Sequence, residues 1–236
     1  MTIALVAADL FGACFELSYA FLHEHGYIQR RLSKSRFNRR LHAIPEWVWR
    51  VLMDGLSQAH QQMNDGHESL VDSLPVPVCD NIRIRRCRLY RGDAYRGWIA
   101  SKRRYFYGLR IHLLTTATGQ PIEFVLAPGA AADIAVFKTL HLDLPPDATI
   151  YADKAYTDYV WEDLLAEAGS VHLVAMRRSN ALRKMDGCLR YICQKTRKQI
   201  ECSFNQVADR FARCLRAVTP RCFELKVCLC VLAFAI

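Results

Sequence analysis

The stretch Thr149-Ile-Tyr-Ala-Asp-Lys-Ala-Tyr156 limits the choice of folds more than any other in the chain. Thr149 to Ala152 suit a short, half-buried strand, and Pro145-Pro146-Asp147 before them is turn chemistry. Thr157-Asp158 then opens a helix through Trp161, Leu164 and Leu165. A strand that runs at once into a helix predicts a crossover unit. In open α/β sheets, ligands bind beyond the carboxyl ends of such strands. Asp153 and Lys154 stand at that end. Taken alone, Asp153 either caps the next turn or takes part in chemistry.

The surrounding patterns fill in a mixed α/β sheet. Ser69 to Val78 alternates as a strand, with Leu70, Asp72, Leu74, Val76 and Val78 on one face. An aspartate in an apolar row is costly unless it is paired or holds a cation. Gly108 to Thr118 reads as a strand, Gly119-Gln120 as a hairpin turn and Pro121 to Leu126 as the returning strand. Asp133 is placed to cap a helix through Val136, Phe137 and Leu140, and Val171 to Met176 forms the last strand. The order is a meander first and crossovers afterwards. A helix from Lys195 to Leu215 closes this region, with Ile200, Phe204, Val207, Phe211 and Leu215 as its buried stripe. Arg197, Glu201 and Asn205 lie one turn apart on an adjacent line. They are either surface residues, with a weak ion pair, or neighbours in one crevice.

Residues 1–24 read as one helix ended by the Gly26 turn. Ser33 N-caps a helix from Lys34 to His42, which buries Phe37 and Leu41 and turns Arg36, Arg39 and Arg40 outward. Pro45 starts a third helix, Glu46 to His60, with Val48, Val51, Leu52 and Leu56 inward. Three short helices with a basic middle one resemble a helix-turn-helix arrangement, the alternative being an ordinary solvated face. The polar residues 61–68 read as a linker, which divides the chain into a helical DNA-binding segment, 1–64, and a catalytic domain, 65–236. The apolar tail Val227 to Ile236 is too short to span a bilayer and reads as a core helix.

Charge narrows the partner. The 236 residues carry a formal net charge of +9, which favours an anionic partner, nucleic acid before membrane. The excess gathers in Gln29 to Arg50 and in Arg83 to Arg110. The second block is interleaved with Tyr90, Tyr95 and Trp98, then Tyr105 and Phe106. Aromatics among arginines suit a nucleic-acid surface, although some of the rings must be core. The 10 cysteines have no zinc-knuckle spacing, and the opening residues have no basic leader region. Free thiols in a reducing cytosol are expected.

Asp72, Asp153 and Glu201 thus make three carboxylates on three elements. Hard divalent cations take oxygen ligands. Converging carboxylates can hold two such ions for an in-line phosphoryl displacement, and a basic surround fits a phosphodiester substrate.

At these residues the chain resembles the DDE transposases of bacterial insertion sequences, and most closely the insertion-sequence 982 family. The resemblance rests on Leu-Ser-Lys-Ser-Arg-Phe-Asn-Arg-Arg-Leu (32–41), Val-Asp-Ser-Leu-Pro-Val-Pro-Val-Cys (71–79) and Arg-Gly-Trp-Ile-Ala-Ser-Lys-Arg-Arg-Tyr-Phe-Tyr-Gly (96–108). It continues in Tyr-Ala-Asp-Lys-Ala-Tyr (151–156), Arg-Lys-Gln-Ile-Glu-Cys-Ser-Phe (197–204) and Phe-Glu-Leu-Lys-Val (223–227). It implies an RNase H-like core, a double-stranded DNA substrate, two Mg2+ or Mn2+ ions, and cleavage followed by strand transfer. Carried over, Asp72, Asp153 and Glu201 are the catalytic acids and metal ligands. Arg36, Arg39, Arg40, Arg103, Arg104, Lys154, Arg197 and Lys198 are the expected DNA contacts. A homodimer on DNA, in the bacterial cytoplasm at the nucleoid, goes with this reading.

The pattern departs in places. Asp80 also lies near the first strand, but alternation puts Asp72 in the apolar row. Cys202 stands where these proteins often have Thr. The insertion-sequence 4 family carries a Tyr and a Lys where this chain has Gln194 and Ala208, so those contacts do not transfer. The start looks abrupt for the family, which suggests a truncated first helix. Two alternatives stay open: a nuclease of the same fold without strand transfer, and a DNA-binding protein with a decayed or repurposed centre.

Overall fold

A computed structural model describes residues 1–29, 32–65, 67–100, 102–210 and 215–236 of the chain. Two compact units emerge, Met1–Leu56 with Asn205–Ile236, and Ser57–Phe204.

The second unit is built on one six-stranded mixed sheet, β1 (Glu68–Asp80), β2 (Arg96–Ile99), β3 (Arg104–Thr116), β4 (Pro121–Pro128), β5 (Thr149–Ala152) and β6 (His172–Ala175). Its order is β2-β3-β1-β5-β6, with β4 also on β3. β1 to β4 pair antiparallel, whereas β5 joins β1, and β6 joins β5, in parallel. β2 faces residues 104–107 of β3 and β4 faces 109–115, so the two share one edge of β3 end to end. Glycine makes this junction possible. A Cβ on Gly97 would fall 2.4 Å from the Phe106 ring and 2.5 Å from the Gly129 carbonyl.

Alternation along the strands separates two faces. Val71, Leu114, Ile150, Ala152, Leu173 and Ala175 build a core with Phe137 of α5 (Asp133–Phe137) and Tyr156, against which Trp161 and Leu165 of α6 (Tyr159–Gly169) pack. Asp158 caps α6 by accepting from the Trp161 amide at 3.2 Å. On the opposite face, Leu70 and Tyr151 meet Cys193 and Ile200 of α7 (Gly187–Arg210). The buried line Cys193, Ile200, Phe204, Val207 of α7 agrees with the expected stripe; Phe211 and Gly66 lie outside the described residues.

Several boundaries move. α7 begins at Gly187 rather than Lys195, because Asp186 caps it by accepting from the Cys188 amide. β3 begins at Arg104 rather than Gly108, and β2 is a strand that the basic composition of its segment hid. Asp133 is the first residue of α5, with Ala132 in the cap position and no side-chain cap. The expected linker contains the end of α4 (Glu46–Gln62) and the start of β1.

In the first unit the expected single helix 1–24 is two, α1 (Thr2–Leu10) and α2 (Phe15–Glu24), bent by 109°. Gly12 and Ala13 take positive φ of 54° and 59°, which ends the helical hydrogen-bond ladder. α3 (Lys34–His42) is capped by Ser33, and its Phe37 ring packs on Phe15 and Tyr19 of α2. α8 (Pro220–Ala235) is almost wholly buried beyond Lys226 and contacts α1. Among the described residues no single helix is long and apolar enough to cross a membrane; the bent pair α1–α2 passes by length and composition together.

Candidate active site

The parallel pairing of β1 with β5 sets the first part of the site. Val71 is in register with Ala152, the last pair of that ladder. The next residues, Asp72, which continues β1 opposite Leu113 of β3, and Asp153, the first residue beyond β5, therefore lie side by side where the parallel ladder ends. Asp72 accepts the amide of Ser73 at 2.8 Å. Burial pushes its pKa up to about 6, and the Asp153 charge raises it further against the pull of the Ser73 amide and Arg197.

α7 supplies the third part. Arg197 donates from Nη1 to Asp153 Oδ1 at 3.2 Å and from Nε to Glu201 Oε1 at 3.1 Å. Burial opposes the guanidinium charge, but Asp153, Glu201 and Asp72 outweigh it and the Arg197 pKa is raised. The i,i+4 spacing on α7 thus serves two partners, one along the helix and one on β5. A small cleft lies here, with Asp72, Asp153, Tyr151, Thr196, Arg197 and Ile200 among its walls.

The remaining expected residues scatter. Lys154 is exposed in the 3-10 turn after β5, and Lys198 is exposed on α7. Arg103 and Arg104 are exposed at the start of β3, where Arg104 Nη1 is 3.1 Å from Asp80 Oδ1. Asp80 ends β1, opposite Phe106, and holds that arginine rather than meeting Asp153. Arg36, Arg39 and Arg40 are exposed on α3 in the first unit.

A polar cluster on the other sheet face was not foreseen. Arg110 donates to Ser73 Oγ at 3.1 Å, to the Gly129 carbonyl at 3.1 Å and to the Trp98 carbonyl at 2.8 Å. Asp133 Oδ1 lies 3.9 Å from both Arg110 Nη1 and His112 Nδ1. The Tyr156 hydroxyl is 3.4 Å from His112 Nδ1. Burial pushes the His112 pKa down to about 4 against the pull of Asp133, so the imidazole is neutral and the tyrosine hydroxyl can donate to it. The sequence signal was there: Arg110 and His112 alternate with apolar residues in β3, as Asp72 does in β1.

A family model described as a transposase DDE domain matches residues 63–212, which takes in both sheet aspartates, α7 and the cleft between them. The chain belongs to the transposase DDE domain family. Neither a curated protein nor a solved structure gives a match. Transposase DDE domains generally use divalent metal ions. Among the described residues of this transposase domain, no three His, Cys, Asp or Glu side chains converge closely enough to hold a metal. The Arg197 guanidinium lies against two of the three acids instead.

Proposed function

We propose that the chain is a DNA transposase of the insertion-sequence 982 type, with an RNase H-like core, that hydrolyses phosphodiesters at the element's ends and transfers the freed strands. The observation that carries this reading is the adjacency of Asp72, within β1, and Asp153, just past the end of β5, where the parallel pairing of the two strands stops, with Arg197 joining Asp153 to Glu201. A meander followed by two parallel crossovers, with the first strand central, supports the RNase H-like assignment. The quoted motifs support the family subgroup.

The donor chemistry suits a hard divalent cation, which would take the place that Arg197 holds between Asp153 and Glu201. All three candidate ligands are carboxylates, and Asp72 is a buried acid whose charge burial disfavours, which a cation would relieve. Asp72, Asp153 and Glu201 would hold it. When bound, Mg2+ supplies Lewis-acid stabilisation of the phosphoryl oxygens and an activated nucleophile. The chain's own part is positioning. β1 and β5 fix two carboxylates through backbone pairing rather than through flexible loops. Arg197 pairs with Asp153 and Glu201, and its guanidinium is suited to hold a phosphate beside them. Residues 1–64 act as the DNA-binding segment through the exposed Arg36, Arg39 and Arg40, and residues 65–236 as the catalytic domain. Arg103, Arg104, Lys154 and Lys198 add contacts to the backbone of duplex DNA, held by a homodimer in the cytoplasm at the nucleoid.

The test uses the full chain, Mg2+ and a labelled duplex carrying the element's end. A nick with a free 3′-hydroxyl, later joined to target DNA, is expected; nicking without joining leaves a nuclease. Asp153→Asn should lose cleavage and keep DNA affinity within a few-fold. Full Mg2+-dependent cleavage by that variant overturns the assignment.

A further inference from the structure

The basic segment 83–110 divides its aromatic residues into two classes. Phe106, Tyr107 and Tyr90 are 0%, 7% and 8% exposed, and so belong to the core. Trp98 and Tyr105 are 42% and 44% exposed. These two are direct cross-strand partners on the β2–β3 ribbon, with ring centroids 4.7 Å apart. Alternation explains their placement. Gly97, Ile99 and Phe106 turn inward, so Arg96, Trp98 and Tyr105 share the outer face.

Cations surround the pair. The Arg96 guanidinium sits 4.1 Å over the Tyr105 ring, and Lys102 and Arg103 are exposed just before β3, while Arg104 alternates to the other face and pairs with Asp80. Two large aromatic rings kept in water at a sheet edge forgo a substantial burial gain. The positive rim opposes a basic partner, including the same face of a second copy, and attracts a polyanion. Among polyanions, the flat rings select one that offers π faces. Bases within a duplex hide those faces in the stack, and unpaired bases expose them. The ribbon is also tied to the strand that carries Asp72, because Arg110 bonds both the Trp98 carbonyl and Ser73 of β1.

We propose that the Trp98–Tyr105 ridge is a stacking platform for unpaired DNA bases next to the cleavage position. The proposal rests on the DNA-processing reading above and adds a structural preference to it. The platform reads whether the DNA end is open, not its sequence.

Two fluorescent duplexes of equal length test this by anisotropy with the full chain in EDTA, one blunt and one with a short unpaired overhang containing 2-aminopurine. Stacking of one or two bases should make the overhang bind about five-fold to a hundred-fold more tightly and quench the 2-aminopurine. Trp98→Ala should erase that preference and the quench, with blunt-duplex affinity held within about two-fold. Trp98→Leu, which keeps an apolar side chain on the ribbon without a π face, should do the same; Trp98→Phe should keep most of the preference. Blunt binding with no overhang preference, or a preference untouched in the Ala and Leu variants, overturns the platform alone. Loss of self-association in Trp98→Ala also overturns it, because a second copy then occupies the ridge. Failure of the unaltered chain to bind either duplex overturns the DNA reading itself.

Discussion

Asp72 and Ser73 are neighbours on β1, and they face different worlds. On the α7 side, Asp72 shares a cleft with Asp153 and with Arg197, which in turn holds Glu201. On the α5 side, Ser73 meets Arg110, and beyond it His112, Asp133 and Tyr156, in a cluster whose imidazole has no solvent exposure. Asp153 and Tyr156 repeat the division three residues apart after β5. The strand pleat produces it in β1, and the 3-10 turn Lys154–Tyr156 produces it after β5. One face holds its charges half-exposed to solvent; the other ties β1 to β3 through buried polar groups.

The largest effect expected from breaking the contrast is catalytic. Asp72→Asn should lower Mg2+-dependent cleavage by more than about 100-fold, since outer partners of metal ligands already cost roughly 10–100-fold. Ser73→Ala should stay well inside that range. Comparable losses in both variants, measured in single turnover, would show that the two faces form one site.

The next effect is in stability against pH, where the faces should oppose each other. The folded pKa of Asp72 is raised from 3.8 to about 6. Its contribution is fully present below pH 4 and is lost as pH rises through 6. The folded pKa of His112 is lowered from 6.5 to about 4. Its contribution is present above 6.5 and is lost as pH falls toward 4. Each limb is worth up to about 3 kcal/mol, so they nearly cancel between pH 4 and 6.5. In urea unfolding with EDTA, Asp72→Asn should leave stability falling toward pH 4, and His112→Gln should leave it falling toward pH 6.5. Slopes of the same sign in the two variants would refute the opposition.

Smaller changes sharpen the boundary. Tyr156→Phe should cost about 1 kcal/mol, the ordinary worth of a hydrogen bond, while cleavage per folded molecule stays near normal. A large drop in cleavage at unchanged stability would move Tyr156 into the chemistry. Least of all, Asp80→Asn should cost under about 1 kcal/mol, as expected for an exposed pair with Arg104, and should spare cleavage. Loss of cleavage there would transfer the role of first acid from Asp72 to Asp80.

What could be read in advance follows the same division. Periodicity identified β1, β5 and the buried stripe of α7, because each keeps a regular apolar row, and it identified Asp72 by the break in that row. The i,i+4 spacing of Arg197 and Glu201 was visible, but the reach from Arg197 to Asp153 depends on long-range packing of α7 on β5. β2 was hidden because its outward residues are Arg96 and Trp98, which read as charge and not as strand. The α1–α2 break rests on a Gly–Ala pair in left-handed geometry, and alanine gives no warning of that. The Asp133 cluster was missed because an aspartate before an apolar run also reads as a helix cap.

The shared edge of β3 bears on how such a chain can change over generations. β4 alone continues the sheet past residue 109, so the segment from Asn81 to Arg103 is an attachment that could lengthen, shorten or change its surface without moving β1 or β5. Besides its ladder with β3, the segment is held by Arg110, which joins the attachment's Trp98, the β4 exit at Gly129 and Ser73. A descendant that retains this arginine can change the outer surface of that segment while β1 and β5 stay where they are.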